Sequence, residues 1–210
     1  MPKVPRKPSP ELLESLHPEV RTIPAGSLVW RVYFRGGLHP MSWKDFRRVG
    51  PVDARFDHHE ESEPHRRDRA VMYAAEHPTT CLAEVFQKTR VVNRWHNDPW
   101  LVGLEVGNPT QLLDLTGSFP TRAGASMGLM TGPRSVSRAW ARAFHDSYPE
   151  IGGLYYPSSM HANRPAMVFT ERAAETGVVP EHPSLHRSLA DPAILSVLRN
   201  AARELGYALL

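Results

Sequence analysis

Apolar residues alternate with polar ones, or form short runs, in six segments, as is typical of β-strands. These segments are 28–34 (LVWRVYF), 71–75 (VMYAA), 100–106, 111–116, 152–158 and 165–171. The turn residues Gly107-Asn108-Pro109 predict that 100–106 and 111–116 pair with each other. Because helical stretches lie between the strands, we expect a mixed α+β fold with a curved or split, largely antiparallel sheet and flanking helices.

Four segments have the spacing of helices: 9–17, 79–87, 137–147 and 191–206. Ser9 and Asp191 are suited to cap the first and last of them, Pro78 opens the second, and Gly206 ends the fourth. We expect the first helix to pack on the domain rather than to bind a partner protein.

The chain of 210 residues suits one domain with appended ends. We divide it into a Pro-rich tail with a short helix at 1–27, a central domain at 28–175, and an extension at 176–210 that carries an amphipathic helix. Residues 1–10 are rich in Pro, cationic and without periodicity, so we expect disorder there.

The composition of the chain indicates the cellular compartment of the protein more than its function. Cys81 is the single cysteine, so the chain forms no intramolecular disulfide, which suits a reducing cytoplasm. No segment approaches the roughly 20 consecutive apolar residues of a membrane span, and the N-terminus lacks a signal peptide's apolar run. We therefore expect a cytoplasmic protein without membrane contacts. A net charge of +3 decides little about nucleic acid.

Five polar residues stand in or beside apolar segments: Arg31, Arg55, Tyr73, Glu84 and Ser158. Burying such groups unpaired is costly, so we expect them to converge in one polar pocket. The ordered set of Arg31, Glu84 and Ser158 resembles the RES domain family, which is named for its Arg, Glu and Ser. The resemblance covers about 28–172, and implies an ADP-ribosyltransferase-like fold and a catalytic domain at 28–175.

The resemblance further implies a toxin that is paired with an Xre-type antitoxin and consumes NAD as its substrate. Arg31, Glu84 and Ser158 would be catalytic, and Arg31, Arg55, Tyr73 and Ser158 would bind NAD. In this interpretation the arginines hold the pyrophosphate, Tyr73 and Ser158 hold the nicotinamide end, and Glu84 stabilises the transition state. The family acceptors are water, phosphate or a protein side chain. We favour NAD depletion with water or phosphate, and protein ADP-ribosylation is the alternative.

Each of these residues also has a purely structural interpretation. Glu84 would be an ordinary helix residue, Arg31 a salt-bridged strand residue and Tyr73 a core tyrosine. Ser158 would be a turn residue, and Ser159 beside it competes for its role. Cys81 is best explained as a small core residue.

The family's Gly-Arg-Phe/Trp-Asn motif stands here as Ala54-Arg55-Phe56-Asp57, which puts the local loop geometry in doubt. A non-catalytic interaction module with a decayed site is therefore another hypothesis. The basic segment 47–69 motivates a further one, a nucleic-acid-binding or RNA-cleaving protein. By the family resemblance, however, any DNA binding would belong to the antitoxin. Self-association stays open.

A cluster of possible metal ligands precedes the second strand: His58, His59, Glu60, Glu61 and His65. Their spacing matches no known zinc motif. We expect this run to be a solvated loop and the protein to need no metal.

Overall fold

The computed structural model describes residues 8–60 and 68–210. Its strands are β1 (Val20–Ile23), β2 (Leu28–Phe34), β3 (Val71–Ala75), β4 (Val91–Val92), β5 (Pro99–Glu105), β6 (Thr110–Asp114), β7 (Gly153–Pro157), β8 (Pro165–Thr170), β9 (Leu185–Ser188) and β10 (Ala208–Leu209). Its helices are α1 (Pro10–Ser15), α2 (Pro78–Phe86), α3 (Phe119–Arg122), α4 (Gly128–Thr131), α5 (Arg134–Ser147), α6 (Glu171–Glu175) and α7 (Leu195–Leu205), with a 3₁₀ turn at Pro192–Ile194.

Eight strands form one sheet in the order β1-β6-β7-β8-β3-β2-β5-β9. The β6–β7 pair is parallel, and the other six neighbouring pairs are antiparallel. Strands β4 and β10 form a separate parallel pair. This sheet with its flanking helices confirms the predicted α+β class.

The sheet is split between two neighbouring strands, β3 and β2. Strand β2 pairs with β3 at Trp30 and Ala75, whereas it pairs with β5 from Leu28 to Phe34. Because one register pair cannot hold two strands side by side along their lengths, β2 and β3 separate beyond it. The split places Tyr73 of β3 and Arg31 of β2 beside an opening between the strands.

The predicted pairing of 100–106 with 111–116 is wrong. Strand β5 pairs with β2 and β9, while β6 pairs with β1 and β7. Between them, the backbone N–H groups of Gly107 and Asn108 donate to the carbonyls of Val178 and Gly177. These bonds draw the connection out of the sheet, so the chain does not turn back on β5.

Helices cover the sheet through their apolar residues. In α1, Ser9 caps the backbone N–H of Leu12, and Leu13 is fully buried in the same core cluster as Trp140 of α5, so α1 packs on the domain as predicted. Helix α7 packs against α2, where Leu82 and Leu198 share a second cluster. Of the segment expected to be disordered, residues 1–7 lie outside the described residues.

No helix in the described ranges has both the length and the apolar character needed to cross a membrane.

Candidate functional site

Glu84 lies on α2, which Pro78 opens directly after the extended residue His77. Thr80, Cys81 and Leu82 of the same helix are buried in the core. Glu84 itself is half-buried and faces a cavity of about 240 Å³. The helix is thus anchored by its apolar residues and presents one carboxylate to the cavity.

Ser158 holds this carboxylate in place. It follows β7, is fully buried, and donates from Oγ to Oε1 of Glu84 at 2.5 Å. Its Oγ also accepts from the backbone N–H of Met160 at 3.2 Å. The neighbouring Ser159 is exposed and lines the cavity, whereas Ser158 is not among its lining residues.

The cavity combines aromatic walls with charged groups. Tyr73 and Tyr156 line it, and Phe56 packs against Tyr156 with ring centroids 4.7 Å apart. Its polar lining residues are Asp53, Arg55, Glu84, Gln87, Arg134 and Ser159. Apolar walls with few polar groups are typical of small-molecule sites.

Tyr73 carries a buried hydroxyl that finds no hydrogen-bond partner among residues 8–60 and 68–210. Burial raises the pKa of this phenol far above its ordinary value, so the hydroxyl stays protonated. A buried donor without a partner is rare in folded proteins, and here it lines a cavity. The Tyr73 hydroxyl is therefore positioned to donate to a bound ligand.

Arg31 lies apart from the Glu84 cavity. It lies on the same face of β2 as Val29 and Tyr33, which belong to a core cluster different from that of Cys81 on α2. It lines an adjoining cavity of about 160 Å³, and Tyr73 lines both cavities.

The Arg31 guanidinium is buried and donates from Nη1 to the carbonyl oxygen of Trp43 at 2.8 Å. Burial lowers its pKa to about 10, although the nearby Asp45 charge opposes the shift. The group remains charged at neutral pH.

Arg55 lines the cavity of Glu84, but part of its guanidinium group is used in hydrogen bonds to the backbone. Its Nη1 donates to the carbonyl oxygens of Leu129 at 3.2 Å and Gly132 at 2.8 Å, which anchors the loop to the end of α4. Burial lowers the pKa of Arg55, and the Arg134 charge lowers it further. Two guanidinium groups therefore lie close together in this cavity.

The loop around Arg55 is held by Asp57, which stands where the family motif has Asn. Asp57 is fully buried and accepts from His59 Nδ1 at 2.6 Å, from Arg47 Nη2 at 2.8 Å and from the backbone N–H of Val52 at 2.9 Å. Burial favours the neutral acid, but the His59 hydrogen bond and the Arg47 charge hold the Asp57 pKa well below its ordinary value.

Three polar residues of the cavity were not predicted from the sequence: Asp53, Gln87 and Arg134. Arg134 donates from Nη2 to Gln87 Oε1 at 2.9 Å, and Gln87 Nε2 lies 3.3 Å from Glu84 Oε2. Arg134 Nη1 also lies 2.7 Å from Asp53 Oδ2, and Lys88 pairs with the same carboxylate. One sequence feature could have indicated Gln87: it follows Glu84 by about one helical turn, which places both side chains on the same face of the helix.

The prediction that 58–65 is a solvated loop is wrong for its described residues. His58 and His59 are each 1% exposed, and Glu60 is half-buried. Their surroundings come from distant parts of the chain, such as Glu171, which the local sequence does not show. Glu61 and His65 lie outside the described residues.

Comparisons with known proteins agree with this architecture. The RES domain family model matches residues 28–189. A chain in the crystal structure of the M. tuberculosis MbcT-MbcA toxin–antitoxin complex is similar in fold, with 17% identity and a TM-score of 0.55. That alignment covers 85% of this chain and 92% of the other. No curated protein matches. Because the family model spans well over half of the sequence, this protein belongs to the RES domain family.

Proposed function

We propose that this protein is the toxin of a toxin–antitoxin pair and that it cleaves the nicotinamide–ribose bond of NAD. One observation carries the proposal. The carboxylate of Glu84 faces a cavity of about 240 Å³ and is held by the buried Ser158 hydroxyl at 2.5 Å. A fixed carboxylate in an aromatic-walled cavity suits a reaction that develops positive charge on a sugar.

Cleavage of the nicotinamide–ribose bond requires few catalytic groups beyond this carboxylate. The nicotinamide ring is a cationic pyridinium in NAD, and it takes the electrons of the breaking C–N bond and leaves as a neutral molecule. The leaving group therefore needs no proton. The ribose becomes oxocarbenium-like, and Glu84 would stabilise that charge and orient the incoming acceptor.

The two adjoining cavities suggest how the dinucleotide lies. The cavity of Glu84 is smaller than the roughly 300–1,000 Å³ of typical ligand pockets, which suits one end of the substrate better than all of it. Tyr73 and Tyr156 would hold the nicotinamide ring there, with the Tyr73 hydroxyl donating to its carboxamide. Arg55 would meet the pyrophosphate, and the separate position of Arg31 suits a more distant phosphate oxygen.

The acceptor of the ADP-ribosyl group is water or phosphate in this proposal. Destruction of NAD accounts for toxicity without a protein target, whereas transfer to a protein side chain is the alternative. These outcomes are separated by incubating the purified protein with NAD, with and without phosphate, and identifying the products by mass spectrometry. ADP-ribose indicates water, its phosphorylated form indicates phosphate, and a mass increase of an added protein indicates transfer.

An antitoxin would have to cover the Glu84 cavity. The similar fold in a toxin–antitoxin complex supports a protein partner, and we propose an Xre-type antitoxin. Co-purification with this antitoxin should abolish NAD binding. A stable complex that still binds NAD with unchanged affinity would contradict this mode of inhibition.

Nucleic-acid binding is the weaker candidate. Arg47 and Arg69, two of the basic residues behind that hypothesis, pair with Asp57 and Asp146, and Arg55 bonds to backbone carbonyls. RNA affinity that falls steeply with salt, without NAD turnover, would favour this alternative.

The direct test measures nicotinamide release from NAD by purified wild-type protein and by Glu84→Gln. The variant keeps the shape of the side chain but removes its charge, so we expect a loss of about 100-fold or more. Equal rates in both proteins would contradict the proposed role of Glu84. Toxicity and NAD levels unaffected by Glu84→Ala would favour a non-catalytic module.

A further inference from the structure

A second cluster of polar side chains lies outside both cavities. His58 comes from the loop after β2, His145 from α5, and Glu171 from the first position of α6. Their potential ligand atoms all lie within 4.8 Å of one another. The side chains are 2%, 11% and 10% exposed, so three distant segments converge at one buried point.

We propose that His58, His145 and Glu171 form a binding site for a divalent transition-metal ion, for which Zn²⁺ is the best-suited probe. Two imidazoles and one carboxylate are a donor set that zinc accepts, with an open fourth position. The site would stabilise the fold and is independent of the proposed NAD chemistry.

The distances are close to those of a metal site. His58 Nε2 lies 3.0 Å from Glu171 Oε2, and His145 Nε2 lies 2.6 Å from Glu171 Oε1. Ligands bound at about 2.0–2.1 Å with tetrahedral angles are roughly 3.3 Å apart. Each imidazole therefore needs to move away from the carboxylate by several tenths of an ångström, within a cluster whose ligand atoms all lie within 4.8 Å of one another. To bind the metal, each Nε2 gives up its proton: a neutral ring carries that proton on Nδ1 instead, and a doubly protonated ring releases one proton to solvent.

A water-sized space borders the two histidines of the cluster. A cavity of about 20 Å³ is lined by His58 and His145, together with Phe56 and Phe144. A cavity that holds a single water needs about 10–15 Å³. The Nδ1 atom of His58 is buried and has no hydrogen-bond partner among the described residues, so the protein groups described here satisfy only one nitrogen of this imidazole.

The surrounding groups can orient the ligands. Nδ1 of His145 lies 3.3 Å from Asp146 Oδ1 and 3.4 Å from Arg172 Nη2. When its proton points to Asp146, the His145 Nε2 lone pair is free for a metal. The backbone N–H of Ala70 donates to Glu171 Oε2 at 2.9 Å, which fixes the carboxylate.

Two arginines near the cluster have other partners. Arg69 Nη2 lies 3.0 Å from Asp146 Oδ1 and 3.5 Å from Glu60 Oε1, which balances its charge. Arg172 Nη1 donates to the carbonyl oxygens of His145 and Tyr148 at the end of α5. These contacts leave Glu171 available to compensate a bound cation.

The experiment uses the full-length protein after dialysis against a chelator. Titration with Zn²⁺ by calorimetry and with Co²⁺ by visible absorption measures stoichiometry, affinity and coordination geometry, and thermal unfolding with and without Zn²⁺ measures stabilisation. We expect one ion per chain, a tetrahedral Co²⁺ spectrum and a higher Tm with metal.

His145→Ala and the nearly isosteric Glu171→Gln should each lower the affinity by about 100-fold. His182→Ala removes a histidine whose side chain is 86% exposed, and should leave binding unchanged. Absence of saturable binding to the wild-type protein would overturn the proposal. Binding that survives both cluster variants would overturn it as well, because other groups would then hold the metal. If His145→Ala does not fold, the metal affinity of Glu171→Gln alone decides the outcome.

Discussion

The buried hydroxyl of Ser158 donates to Oε1 of Glu84 at 2.5 Å and joins two elements that lie 74 residues apart in the chain. The contact restricts the carboxylate to one orientation at the edge of the cavity. In the proposed mechanism, Ser158 acts through Glu84, whereas Ser159, which lines the cavity, would contact the substrate itself.

Ser158→Ala should lower the kcat of NAD cleavage by about 10- to 100-fold, because a hydrogen bond to a charged group contributes roughly 1.5–3 kcal/mol. KM should change little if Ser158 only positions Glu84. Ser159→Ala is the matched control and should affect KM more than kcat. A larger loss of kcat in Ser159→Ala than in Ser158→Ala would reverse the two assignments.

Tyr73→Phe separates binding from stability. The hydroxyl is buried and has no hydrogen-bond partner within 8–60 and 68–210, so its removal should leave the free energy of unfolding unchanged or raise it slightly. The Kd of NAD should increase by about fivefold, which corresponds to a lost hydrogen bond of roughly 1 kcal/mol. Calorimetric binding and urea unfolding measure the two effects. An unchanged Kd would show that the hydroxyl does not contact the substrate.

Gln87→Ala should lower NAD cleavage by about 10-fold, because the side chain links Arg134 to Glu84 and its bond to the charged carboxylate is worth roughly 1.5 kcal/mol. Lys88→Ala, a change at the next position, removes a partner of Asp53 without touching Glu84. It should leave kcat within twofold of the wild type. If both variants lost the same activity, the effect would belong to the helix end and not to the contact with Glu84.

Asp53 provides a test of the electrostatics. Hydrogen bonds from Lys88 and Arg134 lower its pKa to about 2 from an ordinary value of 3.8. Since the folded pKa is the lower one, the ion pairs stabilise the fold fully above the unfolded pKa, and this contribution is lost as pH falls through about 2. Solvent screening keeps it small.

Carboxyl NMR titration measures this pKa directly. Arg134→Leu should move the Asp53 midpoint upward toward 3.8. Arg203→Leu, a change near the end of α7, should leave it in place. An unmoved midpoint in Arg134→Leu would contradict the ion pair.

Leu13 and Leu12 test the packing of α1. Leu13 is fully buried, and Tyr148 donates its hydroxyl proton to the Leu13 carbonyl at 2.9 Å, while Leu12 is 37% exposed. Leu13→Ala should lower the free energy of unfolding by about 2–5 kcal/mol, and Leu12→Ala by less than about 1 kcal/mol. Equal effects in urea unfolding would contradict the packing of α1 against α5.

Sequence patterns predicted the positions of the strands better than the pairing between them. Alternation identified 28–34 as a strand because neighbouring side chains on a strand point to opposite faces, which is a local property. Strand pairing is not local. The turn at 107–109 indicated a hairpin, yet its backbone bonds to residues 177–178.

The same limit applies to the candidate site. Glu84 and Tyr73 were predicted from polar residues in apolar segments, and both line one cavity. Arg134 was missed because its role depends on where α5 begins relative to α2. The burial of His58 was missed because Glu171, its partner, is 113 residues away.

The central claim is that the Glu84 carboxylate drives the destruction of NAD. The most direct measurement is the NAD content of cells after induction of wild-type protein or of Glu84→Gln, with circular dichroism confirming that the variant folds. We predict rapid NAD loss with arrested growth for the wild type, and normal NAD with normal growth for Glu84→Gln. Growth arrest without NAD loss, or equal NAD loss in both proteins, would contradict this account.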